Sequence, residues 1–429
     1  MKHTTSQLKT AVAFFCLLTC IQRIEAQDCK TTEELDALPG KYTDAAHYEW
    51  PAARASWLNE LKTAANKTTA NNVLTQIESI EKDSRKNFTL TGAVLKSSFS
   101  GDATGYISSK YAIAAYSLNL GVYEYICVKN KTLVNSEYAN VFRAYVNRFK
   151  DLSPAFNNLD NNAYYATPNQ YDDRYIALHD FLRFKDKRLL DAMNGGIGFY
   201  QDVADDKVKQ GSRNAYITRH WYITKAGTPL FVPVTRKEYL QTLLEFYDRE
   251  LVLFKKNVDD IEREYQNNLK SAKGNEQLIA NYKKAYNNHT IKYDNYQSKY
   301  ETKKALVNAA LKENKEEWLS QPAIVCPKPV TNWIYDKNLG WSDNGQGVAD
   351  SEADGIKTGS FTFSGFWDNR NGDVLYKYNP AYFKSTTTAP AKPQLIELSF
   401  RYVKVPAGQR LVENFTKNFD FKAVQRMLE

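Results

Sequence analysis

Sulfur is scarce in this chain. Its 429 residues include five cysteines and three methionines. Cys16 and Cys20 fall within the first 26 residues, which leaves Cys29, Cys127 and Cys326. Three is odd, so one thiol stays free or pairs between chains. Histidine is also rare: after residue 26 only His47, His179, His220 and His289 remain, with no metal-ligand spacing among them. His179-Asp180 sits in a helical pattern and reads as a hydrogen-bonded structural histidine.

Several catalytic signatures are missing. There is no Gly-x-Ser-x-Gly elbow, no Walker A loop, no Gly-x-Gly-x-x-Gly fingerprint and no His-Glu-x-x-His. Gly195-Gly196-Ile197-Gly198 imitates a nucleotide loop, but it follows a helical pattern rather than a strand and lacks the third glycine. No cofactor is implied. Beyond the N-terminus there is no apolar run long enough to cross a bilayer, which needs about 20 residues. Charge clusters are absent too. The formal charge is +8, yet Lys and Arg are interleaved with Asp and Glu, whereas a nucleic-acid binder concentrates its cations on one face or in runs.

The N-terminus resembles an export signal. Lys2 and Lys9 precede a short apolar core from Ala11 to Ile21, and Ala26 supplies the small residue before Gln27. Residues 1–26 are therefore expected to be a signal peptide and the rest an exported, periplasmic or extracellular protein that does not span a membrane. A lipid-anchored form through Cys20 is the less favoured alternative, because Leu17-Leu18-Thr19 lacks the small residue that usually precedes such a cysteine. An oxidising compartment permits a disulfide. Cys29 and Cys326 both lie in loop-like sequence and are the expected pair; Cys127, inside Tyr125-Ile126-Cys127-Val128, reads as a small buried hydrophobe.

The clearest pattern is a heptad seam. Leu240, Leu244, Tyr247, Leu251, Phe254, Val258, Ile261 and Tyr265 recur at steps of four and three. Thr235 with Glu238 forms a capping box ahead of it. A turn signal at Lys273-Gly274-Asn275 precedes a second periodic stretch over 278–318, whose seam is aromatic: Tyr282, Tyr286, Tyr293, Tyr296 and Tyr300. The pattern predicts an antiparallel helical hairpin over 235–320, a coiled-coil arm with legs of about 55 Å.

The flanks are mixed. Thr31 and Glu34 have capping character; Pro51 to Ala65 and the run through Val73, Ile77 and Ile80 read as helices separated by a break at 66–69. Tyr111 to Val128 reads as strand, with a turn at Asn130-Lys131-Thr132, while Tyr138 to Phe149 fits strand or helix. A helical spacing runs from Asp173 to Met193 and stops at Asn194-Gly195-Gly196. His220 to Val234 is expected to be a β-hairpin, turning at Lys225-Ala226-Gly227, with Pro229 and Pro233 marking an edge. A second hairpin is expected around Asn371-Gly372, between Phe361–Trp367 and Val374–Tyr378. Leu395 to Val405 alternates as a strand, and Lys422 to Leu428 is a short helix. The whole reads as an α+β body formed by 27–234 and a β-rich 321–429, with the arm inserted between them.

Candidate binding chemistry lies in the C-terminal part. Trp333, Trp341 and Trp367 beside Asp343 and Asp368 could stack on sugar rings and supply an acid or base; packing within the sheet is the plainer reading. Asp350, Glu352 and Asp354 ahead of Gly355 imitate the first half of a calcium loop, but position twelve is Phe361 instead of the closing carboxylate. Five Asn-x-Ser/Thr sequons, at Asn66, Asn87, Asn130, Asn288 and Asn414, match chance for so Asn-rich a chain and carry no claim. The sequence thus favours an exported non-catalytic binding or structural protein of an envelope, contacting a protein partner or polymer through the arm or an aromatic surface. The alternative is a hydrolase of a polysaccharide or other envelope polymer.

Overall fold

A computed structural model describes residues 29–43, 61, 63–101, 111–138, 140–149, 181, 184, 187–204, 216–293, 295–325, 335–336, 341–342, 363, 365–367, 372–383, 389–403 and 406–429. These residues form an α+β fold. Nine α-helices are present among them: α1 (Thr32–Asp36), α2 (Ala64–Ser84), α3 (Lys187–Asn194), α4 (Arg236–Ser271), α5 (Glu276–Thr290), α6 (Tyr296–Glu313), α7 (Glu316–Leu319), α8 (Pro406–Asn418) and α9 (Phe421–Arg426). No helix among the described residues is long and apolar enough to cross a membrane.

The main sheet is mixed. Its strands are β1 (Lys41–Thr43), β2 (Ala93–Gly101), β3 (Tyr116–Val128), β4 (Lys131–Val134), β5 (Asn140–Val146), β6 (Ile197–Ala204), β7 (Ile217–Ile223) and β14 (Ile396–Tyr402). Their order is β1-β2-β3-β5-β14-β7-β6, with β4 pairing the far end of β3. Among the described residues only β1 and β2 run parallel. β14, contributed by the C-terminal part, lies between β5 and β7 of the N-terminal part and pairs with both. The two flanks therefore share one sheet. Tyr138–Phe149, ambiguous in sequence, contains strand β5.

Alternation divides the sheet into two faces. Leu118, Leu120, Phe142, Ala144, Trp221, Ile223, Leu398 and Phe400 point to one side, where Leu74 and Ile77 of α2 and Leu411 and Phe415 of α8 cover them. Residues 66–69 do not break a helix. Thr63 accepts a hydrogen bond from the Asn66 amide and starts α2 at Ala64, so these polar residues lie within its first two turns. Gly408 permits α8 to approach the sheet: a Cβ there would stand 2.5 Å from Asn140 Oδ1. Asn140 is fully buried, accepting from the Val403 amide and donating to Glu124.

Three local expectations need correction. Residues 220–234 do not fold back as a hairpin. Both edges of β7 are occupied, by β14 and β6, so the chain leaves the sheet and β8 (Phe231–Pro233) pairs instead with β13 (Tyr376–Tyr378). Nor do 361–378 form a hairpin. Described residues from Phe363 to Trp367 are not strand, and β12 (Asp373–Val374) pairs with β9 (Ile324–Val325). Here pairing with distant backbone outweighs the local turn signal. The expected Cys29–Cys326 bridge is not made, because Cys29 is bonded to Cys127. Cys127 lies on the exposed β3–β4 ribbon rather than in the core, and Lys129 and Asn130 take the positive-φ turn of that ribbon. Of the helix expected over 173–193, α3 is helical while Phe181 and Phe184 are not; the other earlier residues, like most of 51–65, lie outside the described residues, as does Cys326.

Candidate functional site at the paired helices

The segment between the two flanks begins and ends at one point. The Arg236 amide donates to the Gln321 carbonyl at 2.9 Å, and the Ala323 amide donates to the Val234 carbonyl at 2.8 Å. Thr235 caps α4 by accepting from the Glu238 amide, and the Glu238 carboxylate returns a bond to the Thr235 amide. The same carboxylate contacts Lys377 of β13. Burial works against the charge of Glu238, but bonds from Lys377 and Thr235 outweigh it and hold its pKa below the ordinary value.

α4 contains 36 residues, about 54 Å of helix. It turns at Lys273 and Gly274, both at positive φ, and Asn275 caps α5. The return is not a single helix. α5 ends at Thr290, a 3-10 turn covers Ile291–Tyr293, and Asn295 at φ 57° precedes α6. Contacts with α4 run in antiparallel order. Tyr265 stacks on Tyr286 at 4.5 Å, Phe254 meets Tyr293 edge-on at 5.1 Å, and Asn257 donates to the Tyr293 hydroxyl. Farther back, Asp248 accepts from Tyr300 at 2.7 Å and from Lys304 at 2.8 Å. Burial opposes the Asp248 charge, but these two bonds hold its pKa below the ordinary value; the same bond raises that of Lys304.

The buried stripe on α4 differs from the strict four-three seam. Leu240, Leu243, Phe246, Tyr247, Glu250 and Phe254 are buried, whereas Leu244 and Leu251 are only partly so. The reason is a second neighbour. Near its start α4 packs against α6 and also against Leu319, Phe363 and Phe366, and two partners require a broader stripe than one. Phe366 also touches Tyr239 and Trp318, and the Arg236 guanidinium lies over the rings of Trp318 (4.6 Å) and Phe366 (5.3 Å). Between these elements Glu250 and Lys303 form a buried ion pair. Beyond Phe254 the burial fades: from 255 to 290 only Ala272 is buried. Val252, Leu278, Ile291 and Leu306 expose apolar side chains, Val252 and Ile291 most strongly.

Of the binding residues chosen from sequence, Trp341 and Trp367 are among the described residues. Trp367 is 43% exposed, with its amide donating to the Ile324 carbonyl. Trp341 stands in β11 (Trp341–Ser342) opposite Asp336 of β10 (Tyr335–Asp336). Trp333, Asp343, Asp368, Asp350, Glu352 and Asp354 lie outside the described residues. No group of three metal-ligating side chains occurs among the described residues.

One polar constellation was not foreseen. His220 on β7 and Glu397 on β14 are buried on the sheet face opposite α2 and α8, with Nδ1 and Oε1 3.2 Å apart. Ser399, also buried, faces His220 in register. These are the residue types of a nucleophile, a base and its orienting acid. The Ser399 hydroxyl, however, makes no hydrogen bond to the ring, and all three are closed off from solvent. The arrangement satisfies a buried imidazole and does not activate a hydroxyl. Its only signal in sequence was strand parity, since 177 residues separate the pair. The chain matches no family model, no curated protein and no solved structure.

Proposed function

We propose that this is an exported, non-catalytic binding protein in which 235–320 is an inserted helical hairpin, a coiled-coil arm that presents a protein-binding surface away from an α+β body. The observation that carries this reading is the fading burial along the paired helices. A helix laid flat on a body buries a continuous stripe, whereas 255–290 buries a single alanine. The bonds joining 234–236 to 321–323 support an insertion, and the exposed Val252, Leu278, Ile291 and Leu306 supply apolar contact points. The Cys29–Cys127 bond supports export, since disulfides persist in oxidising compartments.

The test compares two baits in a pull-down from envelope extract: the intact chain, and a chain with Val252, Ile291 and Leu306 changed to serine. These side chains are exposed, so the variant should fold normally, as checked by its melting temperature. The reading expects a partner retained by the first and lost by the second. Identical partners for both would remove the arm from the functional account.

A further inference from the structure

A groove of about 750 Å³ lies between the end of α2, with the turn that follows it, and the second half of α8. That volume is within the range of small-molecule sites. Its charges cancel. Lys86 pairs with Asp83 at 3.0 Å. Arg410 is held elsewhere, by both oxygens of Asp36 and by Thr91. Glu413 and Lys417 stand one helical turn apart on α8, close enough to offset each other. A charged ligand would find no unbalanced partner here.

What the groove offers is amides. Asn414 donates to the Ser84 carbonyl near the C-terminus of α2 at 3.1 Å, and Asn418 donates to Asn414 Oδ1 at 2.8 Å. This relay is anchored on backbone and leaves Asn418 Oδ1 as an acceptor on the groove wall. Asn87 is exposed in the turn after α2, and no described residue bonds to its side-chain amide. Phe88 beside it is half-buried against the core and presents its remaining surface to the groove. We propose that this groove binds an uncharged oligosaccharide. Amides both donate and accept, as hydroxyl groups do, and an aromatic surface accommodates the C–H face of a sugar ring. The inference is independent of the arm and its partner.

The experiment is ligand-observed NMR and calorimetry on the full chain with three neutral probes: chitotetraose, cellotetraose and maltotetraose. Saturable binding of at least one is expected. It should weaken about five- to tenfold in Asn418→Ala and in Asn87→Ala, the worth of roughly one hydrogen bond. It should change little between about 50 and 500 mM salt, since no net charge is engaged. Both substitutions are at exposed positions, and unchanged melting temperatures confirm that the variants are folded. Absence of saturable binding by all three probes overturns the proposal. So does binding that both variants leave unchanged, or binding that salt abolishes.

Discussion

Replacing Lys303 by methionine separates charge from packing at the base of the paired helices. Lys303 and Glu250 are 1% and 4% exposed, and the ammonium also lies 4.7 Å from the centroid of the Tyr247 ring. Methionine keeps most of the lysine stem, so the packing loss alone should stay below about 1.5 kcal/mol. Removing the cation takes the Lys303 charge away from a buried carboxylate, which costs about 3–5 kcal/mol. The electrostatic effect therefore exceeds the steric one by roughly two- to threefold. A second variant, Glu250→Leu with Lys303→Met, removes both charges and should be neutral or more stable, by about 1–4 kcal/mol, than the native pair.

The readout is hydrogen exchange at the facing amides of 246–254 and 299–307. In the single variant a loss of about 3–5 kcal/mol in local opening free energy corresponds to exchange roughly 150- to 5,000-fold faster. The double variant should exchange at or below the native rate. A single variant within about tenfold of native, or a double variant as labile as the single, refutes the reasoning. Either result would mean that contacts other than Lys303 support the Glu250 carboxylate. If the double variant is stable but its helices slip, with altered protection beyond Phe254, the pair's role is to fix register rather than to stabilise.

Four further outcomes follow from the same structure. Opening the Cys29–Cys127 bond, by reductant or by Cys127→Ala, releases a loop with a sequence separation of 98 and should lower stability in urea by about 2–5 kcal/mol; a loss under about 1 kcal/mol would show that the N-terminal segment gains little from the tether. Thr235→Ala removes the cap on Glu238 and should cost about 1 kcal/mol, whereas Thr235→Ser should restore most of it. Asp248→Asn should reduce stability at neutral pH but not in strong acid: its folded pKa is lowered, so its contribution is present above the ordinary value of 3.8 and disappears as pH falls through the folded value. A native-minus-variant difference that persists at pH ~2 would contradict that assignment. Gly408→Ala drives a methyl group into fully buried Asn140 and should cost about 1–3 kcal/mol in a denaturant titration.

Local signals survive into the fold where the neighbours are close in sequence. The capping boxes at Thr31 and Thr235, the turn at Lys273-Gly274 and the strand at Ile396–Tyr402 all depend on residues within a few positions of one another. The Asn371-Gly372 signal is equally local, yet the strand after it pairs with β9 and β8 instead. A turn preference is worth little against the cross-strand and backbone bonds of a longer-range partner. Asn66 to Thr69 misleads for a related reason. Three poor helix formers, Asn66, Thr68 and Thr69, suggest a break, but Ala70, Val73, Leu74 and Ile77 bury against the sheet, and tertiary packing overrides a propensity deficit of a few tenths of a kcal/mol per residue.

Disulfide choice illustrates what periodicity leaves unreadable. Loop-like sequence around Cys29 and Cys326 favours that pair, and apolar surroundings argue against Cys127. Hydrophobic neighbours do not make a strand buried: Ile126 is only partly covered and Val128 is exposed. The residues 125–128 lie where β3 has run past β2 and β5 and pairs only with β4. Whether a strand end lies in the core or overhangs it depends on the lengths of its neighbours, and those are set by pairings that no single segment contains. The Tyr125 amide bonds to the Gly92 carbonyl and the Tyr125 hydroxyl to the Pro39 carbonyl, which brings the segment that follows Cys29 alongside the overhang. That contact places Cys29 beside Cys127. Burying Cys127 inside the sheet instead would have required β2 to extend back through Leu90–Gly92, or β5 to extend back through the bend at Ser136–Glu137.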